Sequence, residues 1–202
     1  SDFWAVRALV SAGESPESSL IQSSVDFIID NQEPDGGWTW GTAAHSYYAP
    51  DSTDVDNTAA AIVALRLGGR GDSDAVAKGL SYLREYQHQS GGFESVWMGV
   101  NVQSTAWAIA AIVSSGGNPV DGEWTRVDSN PIDSLLDSQE EDGSFGAAVW
   151  PTADTIVALT GFSSDVGGDA EGSGAGIVAR LTATPYVVPI LIVLGIALLL
   201  LF

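Results

Sequence analysis

Three segments of the chain end on one pattern: a glutamine, three residues, a glycine, any residue, then an aromatic. They are FIIDNQEPDGGW (27–38), YLREYQHQSGGF (82–93) and LLDSQEEDGSF (135–145), with Gln32/Gly36/Trp38, Gln87/Gly91/Phe93 and Gln139/Gly143/Phe145 at the fixed positions. The glutamines are spaced 55 and then 52 residues apart. A second set lies between them: TAAAIVAL (58–65), TAWAIAAI (105–112) and TADTIVAL (152–159), spaced 47 and 47, with a degenerate fourth copy, DFWAVRAL, at 2–9. Self-similarity at such a period is the mark of an architecture built from stacked supersecondary units, each too small to bury its apolar face alone.

The two sets predict different helices. The Ala-rich set is apolar nearly all round, as expected of helices covered on more than one side. The segments before each glutamine, SSVDFIID, KGLSYLRE and NPIDSLLD, carry apolar residues at helical spacing with acids on the other face, and the glycine that follows is a usual helix stop. The unit is therefore an inner helix, a loop, an outer amphipathic helix and a Gln…Gly-x-aromatic turn. The expected fold is an all-α, α/α toroid, partial, with four inner and three outer helices over residues 1–162.

Beyond that domain the composition changes. Residues 163–184, rich in Gly, Ser, Ala and Asp, read as a flexible linker. From Tyr186 to Phe202 the chain is YVVPILIVLGIALLLLF, without a charge. At about 1.5 Å per residue this is roughly 25 Å of helix, near the lower limit for a hydrocarbon core. The expectation is a single-pass anchor over 185–202 that contacts the lipid bilayer through 186–202. Arg180 beside it favours an inside placement of the domain, the absence of an initiator methionine an outside one, and the outside is preferred.

Composition narrows the chemistry. The chain has 26 acids against 7 bases, a formal charge of −19, and no cysteine, yet 45% of its 202 residues are hydrophobic. So acidic a surface repels phosphate backbones, which excludes nucleic acid as the main partner. A folded core coated in carboxylates with a single lysine, Lys78, matches a halophilic, haloarchaeal kind of source, where salt screens the self-repulsion. Without cysteine there are no disulfides, thiolate metal sites or cysteine nucleophiles. Acidic pairs such as Asp72/Asp74 lack the spacing of a calcium loop, so no metal site is expected.

The Gln-EPD-GGW, Gln-HQS-GGF and Gln-EED-GSF turns resemble the QW motif of the prenyltransferase and squalene-oxidase repeat family, which includes triterpene cyclases, protein prenyltransferase β subunits and cobalamin carriers of the transcobalamin type. The resemblance covers residues 2–162 and implies the α/α-toroid fold, with the glutamine tying the outer-helix end to the next turn. It also tests each branch. Protein prenyl transfer needs a zinc held by Asp, Cys and His, and the thioester branch needs a Cys; neither is possible here. Bacterial squalene cyclases carry a DxDD-T-A run whose middle acid protonates an alkene. The matching run is Asp54-Val55-Asp56-Asn57-Thr58-Ala59, in which Asn57 departs from the pattern. The resemblance makes Asp56 the acid and Asp54 its tuning partner. The same residues also read as helix caps before an apolar run, as do Gln103-Ser104-Thr105 and Trp150-Pro151-Thr152.

Three functions follow as expectations. The leading one is a membrane-anchored, surface-exposed module that binds a large amphipathic ligand, a corrinoid or a polyprenyl-like compound, in a central hollow lined by Trp40, Tyr47, Tyr48, Trp97 and Trp150, with Asp54, Asp56 and Gln103 on its rim. Trp38 and Met98 lie in the same loops. The second is a terpenoid, squalene-type cyclase or a degenerate relative that uses Asp56, with Asp54 and Asn57 beside it. The third is a docking subunit of a larger membrane-protein complex.

Overall fold

The computed structural model describes residues 2–41, 53–95, 98–127 and 129–165. Seven α-helices follow one another there: α1 (Asp2–Ser11), α2 (Ser19–Asp30), α3 (Val55–Leu67), α4 (Asp74–Glu85), α5 (Val102–Ser114), α6 (Pro131–Asp137) and α7 (Val149–Asp165). Two short strands, β1 (Glu94–Ser95) and β2 (Gly99–Val100), pair antiparallel before α5. The inner helices α1, α3, α5 and α7 pack side by side in chain order, and α2, α4 and α6 each back the inner helix before them. Four inner and three outer helices is the arrangement the repeats predict. Among the described residues no helix is long and apolar enough to cross a membrane, and 186–202 lies outside them. Helix α7 runs to Asp165, three residues past the boundary expected at 162.

The sequence motifs explain why the elements stop where they do. Each outer helix ends just before its glutamine, at Asp30, Glu85 and Asp137, and the motif glycine takes a left-handed backbone, φ +90° at Gly36, +83° at Gly91 and +84° at Gly143. There is also no room there for a side chain. A Cβ on Gly36 would come within 2.8 Å of the Lys78 carbonyl oxygen, and one on Gly91 within 2.5 Å of that of Asn130. The turn of one repeat thus lies flat against the next outer helix.

The polar members of the motif fasten the same joint. Gln32 donates from Nε2 to the Gly36 carbonyl of its own turn (2.9 Å) and to that of Ala75 at the start of α4 (2.8 Å). Gln87 does likewise, to Gly91 (2.8 Å) and to Trp124 in the turn before α6 (2.7 Å). The repeated threonine has a matching task. Thr58, Thr105 and Thr152 accept the backbone N–H of Trp38 (3.1 Å), Phe93 (2.9 Å) and Phe145 (2.9 Å), so the aromatic turn is pinned to the next inner helix. All three aromatics are essentially fully buried. Buried backbone groups must be paired, and the repeat pairs them with side chains where no helix or sheet does.

The scarce cations act as staples between repeats. Arg66 on α3 donates to the Ser114 carbonyl at the end of α5 (2.6 Å), Arg70 pairs with Asp26 on α2 (2.8 Å), and Arg84 on α4 pairs with Glu123 (2.7 Å) while lying 4.9 Å from the centre of the Trp124 ring.

Candidate functional site

The face of the inner row opposite the outer helices is where a ligand could be met. Ile62 of α3 faces α4, its side chain lying where a Cβ on Gly79 would meet it at 3.1 Å. Ala60, two residues away and about 200° around the helix, therefore points to the other side. At the positions equivalent to Ala60 stand Trp4, Trp107 and Asp154; one turn earlier stand Asp56, Gln103 and Trp150. These positions vary between repeats, Trp4 and Trp107 being the one coincidence, whereas the fixed residues of the turns do not.

Asp54 caps α3. Its carboxylate accepts from the Asn57 N–H (2.7 Å) and from Asn57 Nδ2 (2.6 Å). The first helical turn needs such an acceptor, so the capping reading of this residue holds. Asn101 does the same for α5, accepting from the Ser104 N–H at 2.9 Å. The caps therefore fall four residues before the repeated threonine rather than beside it, and Gln103, Ser104 and Trp150 sit inside the first turns. Pro151 is the third residue of α7 and so lies within its first turn rather than at its cap.

Asp56 has no capping task. Its Oδ1 is buried with no hydrogen-bond partner among the described residues. Burial raises its pKa above the ordinary carboxyl value, a hydrogen bond from the Ser104 hydroxyl pulls the other way, and the nearby Asp54 charge raises it further. Asp54 is itself raised by burial, against the Asn57 hydrogen bonds. Two carboxyls at the mouth of the inner row thus both favour the protonated state more than free aspartate does.

The other expected residues are distributed around this pair. Gln103 donates to Asp154 Oδ2 (3.1 Å), joining α5 to α7. It also lines a cleft of about 280 Å³ with Met98, Val100, Val102 and Pro151. Trp40 and Trp150 are exposed, at 73% and 68%. Tyr47, Tyr48 and Trp97 lie outside the described residues.

Three functional-face residues escaped the sequence reading. Trp4 and Trp107 meet edge to face at 4.8 Å, and the Arg7 guanidinium lies 6.0 and 5.2 Å from their ring centres. The two tryptophans come from helices that flank α3, so their meeting brings α1 and α5 toward each other across it and the row is curved. The signal was present in the repeat alignment: a tryptophan, a tryptophan and an arginine at the non-repeating positions of otherwise small, apolar helices.

This is a curved stack of inner and outer helical hairpins joined by glutamine–aromatic turns. Residues 2–101 match the family model described as the squalene-hopene cyclase C-terminal domain, and the chain's repeat domain belongs to the prenyltransferase and squalene-oxidase repeat family. It is 34% identical over 92 residues to a lanosterol synthase of Candida albicans, covering 44% of this chain and 13% of that protein. It is 36% identical over 96 residues to a squalene–hopene cyclase of Bradyrhizobium diazoefficiens, covering 44% and 14%. A lanosterol synthase of Saccharomyces cerevisiae matches at 33% over 99 residues, 46% and 14%. The chain thus spans about one seventh of the length of these relatives.

Proposed function

We propose that this repeat array is the acid-bearing module of a terpenoid, squalene-type cyclase, with Asp56 protonating an alkene of a linear polyisoprenoid. The likeness to cyclases over the stretch that contains Asp54–Ala59, rather than to cobalamin carriers, moves the reading from passive binding to this chemistry. The observation that carries it is Asp56 itself: a partly buried carboxyl in the first turn of an inner helix, raised by burial and by Asp54, with one oxygen unpaired. In the step, the Asp56 O–H bond breaks and the alkene π pair forms a C–H bond, leaving a tertiary carbocation. The carboxylate left behind is its counter-ion, worth more at this partly dry site than in water. The π pair of the next alkene closes the ring onto that cation. The final cation loses a proton to water or is captured by it, and solvent returns the proton to Asp56. Asn57 gives Asp54 two hydrogen bonds where the bacterial motif has a third acid, which leaves one neighbouring charge, not two, to raise Asp56.

Incubating the full chain with squalene in molar salt, followed by gas chromatography and mass spectrometry, tests the reading. Cyclic product from the native chain and none from a folded Asp56→Asn variant supports it. Product from both, or from neither, counts against it.

A ligand-binding role, for a corrinoid or a polyprenyl-like compound, draws support from one feature, the 280 Å³ cleft beside Gln103, whose walls mix Met98, Val100, Val102 and Pro151 with Asn101, Ser134 and Ser138. The anchoring of 186–202 in a bilayer and a membrane-protein partner are separate proposals, resting on the apolar run alone, and the placement of the domain outside is a further one that the run does not support.

A further inference from the structure

The two joints inside the array are equivalent but not equally filled. In the first, the Tyr82 and Tyr86 rings of α4 stack at 4.3 Å, and Tyr82 is buried. A Cβ on Gly37 would meet both the Tyr82 ring and the Thr53 side chain at 2.8 Å. Thr53 in turn donates to Asp35 Oδ2 (2.6 Å), so this joint is packed and hydrogen-bonded. Carried forward by 52 residues, as Gln87 is to Gln139, Tyr82 becomes Ser134 and Tyr86 becomes Ser138. Carried forward by 47, as Thr58 is to Thr105, Thr53 to Asp56 become Val100, Asn101, Val102 and Gln103. The contacts confirm this register, because a Cβ on Gly92 would meet Ser134 and Val100. All six of these counterparts line the cleft of about 280 Å³. Two serines thus leave open the space that two stacked rings fill one joint earlier.

The lining says what could take their place. None of it is charged, in a chain with 26 acids, so neither an acid nor an amine finds a counter-ion there. Most of its polar groups are already engaged. Asn101 caps α5, Gln103 Nε2 donates to Asp154, and the Ser138 hydroxyl donates to the Ser134 carbonyl (2.8 Å). The Ser134 hydroxyl has no hydrogen-bond partner among the described residues. The volume stands at the low end for ligand pockets, enough for a small ring system and too little for a polycycle. We propose that the cleft binds a neutral ring of phenol size with one hydroxyl or carbonyl at its edge, placed where Tyr82 and Tyr86 stand in the first joint and hydrogen-bonded to Ser134. Met98 supplies a thioether, a favourable neighbour for an aromatic edge. This rests on the binding reading of the cleft and needs no cyclase chemistry.

The chain contains no cysteine, so Ser138→Cys places a single thiol in the cleft. The full chain carrying it is alkylated with iodoacetamide in molar potassium chloride, with p-cresol or with farnesol, and the rates are compared with those of free cysteine. The expected result is that p-cresol slows alkylation severalfold and saturably. The protection should weaken on adding Ser134→Ala and vanish on adding Ser134→Tyr, which restores the residue of the first joint; circular dichroism checks that each variant is folded. Protection by farnesol alone overturns the inference and leaves the cleft a polyprenyl site. Protection by neither overturns the binding reading as well, and protection by p-cresol that is undiminished in both Ser134 variants overturns the inference.

Discussion

The glutamine–aromatic turns and the inner-helix mouths obey opposite rules. At the turns, three copies use the same residues for the same bonds: the glutamine amide to a carbonyl, the threonine hydroxyl to an aromatic N–H. At the mouths, Asp56, Gln103 and Trp150 occupy one repeat position with three chemistries, and Trp4, Ala60, Trp107 and Asp154 another with four residues of three kinds. Sameness marks what every joint needs to hold. Difference marks positions released from that need, and these are where an asymmetric ligand can be recognised.

The largest effect that would break this contrast comes from the turns. Trp38→Ala removes a buried ring whose Nε1–H bonds the Ile28 carbonyl at 2.7 Å, and should cost about 3–5 kcal/mol in chemical denaturation at high salt. Trp150→Ala at the mouth should cost no more than about 0.5 kcal/mol. Equal losses would erase the distinction.

A second comparison lies within the turns. Gln87→Ala strands two carbonyls, one of them in the next repeat, and should cost about 2 kcal/mol. Gln139→Ala removes a single bond and should cost roughly half as much, by the same denaturation measurement.

At the mouth the sign reverses. Asp56 has its pKa raised on folding, chiefly by burial, so its contribution to stability is full below the ordinary carboxyl pKa and is lost as pH rises through the raised value. Asp56→Asn should therefore leave the melting temperature at neutral pH unchanged or higher and flatten its pH dependence in the acid range. Any cyclase activity should fall as pH rises through the same range, since the protonated form is the donor.

A last effect concerns Val127. It holds φ +54° at an exposed position, a conformation that β-branched residues resist. Val127→Gly should stabilise the chain by about 1 kcal/mol in the same assay.

The fold was legible because a repeat shows itself three times. One Gln…Gly-x-aromatic segment is a turn among many, whereas three at near-constant spacing fix the hairpin unit. The site was legible only where a motif crossed it. Asp54 and Asp56 stood out through the DxDD-like run, yet their two roles, capping and unpaired acid, separate only when Asn57 is seen donating to Asp54 alone. Arg7, Trp4 and Trp107 stayed hidden because a helix apolar all round does not say which side faces the hollow; Trp4 meets Trp107 only after α1 and α5 curve around α3. Gln103 was chosen as a rim residue, and its partner Asp154 lies 51 residues away on another helix, beyond the reach of local pattern.

The most direct test of the account is to run the squalene incubation in deuterium oxide. Asp56 exchanges its proton with solvent, so an alkene protonated by it acquires one deuteron. The account predicts cyclic product one mass unit heavier than that formed in ordinary water, and none from Asp56→Asn. Cyclic product without solvent deuterium, or labelled product from the Asp56→Asn chain, would contradict it.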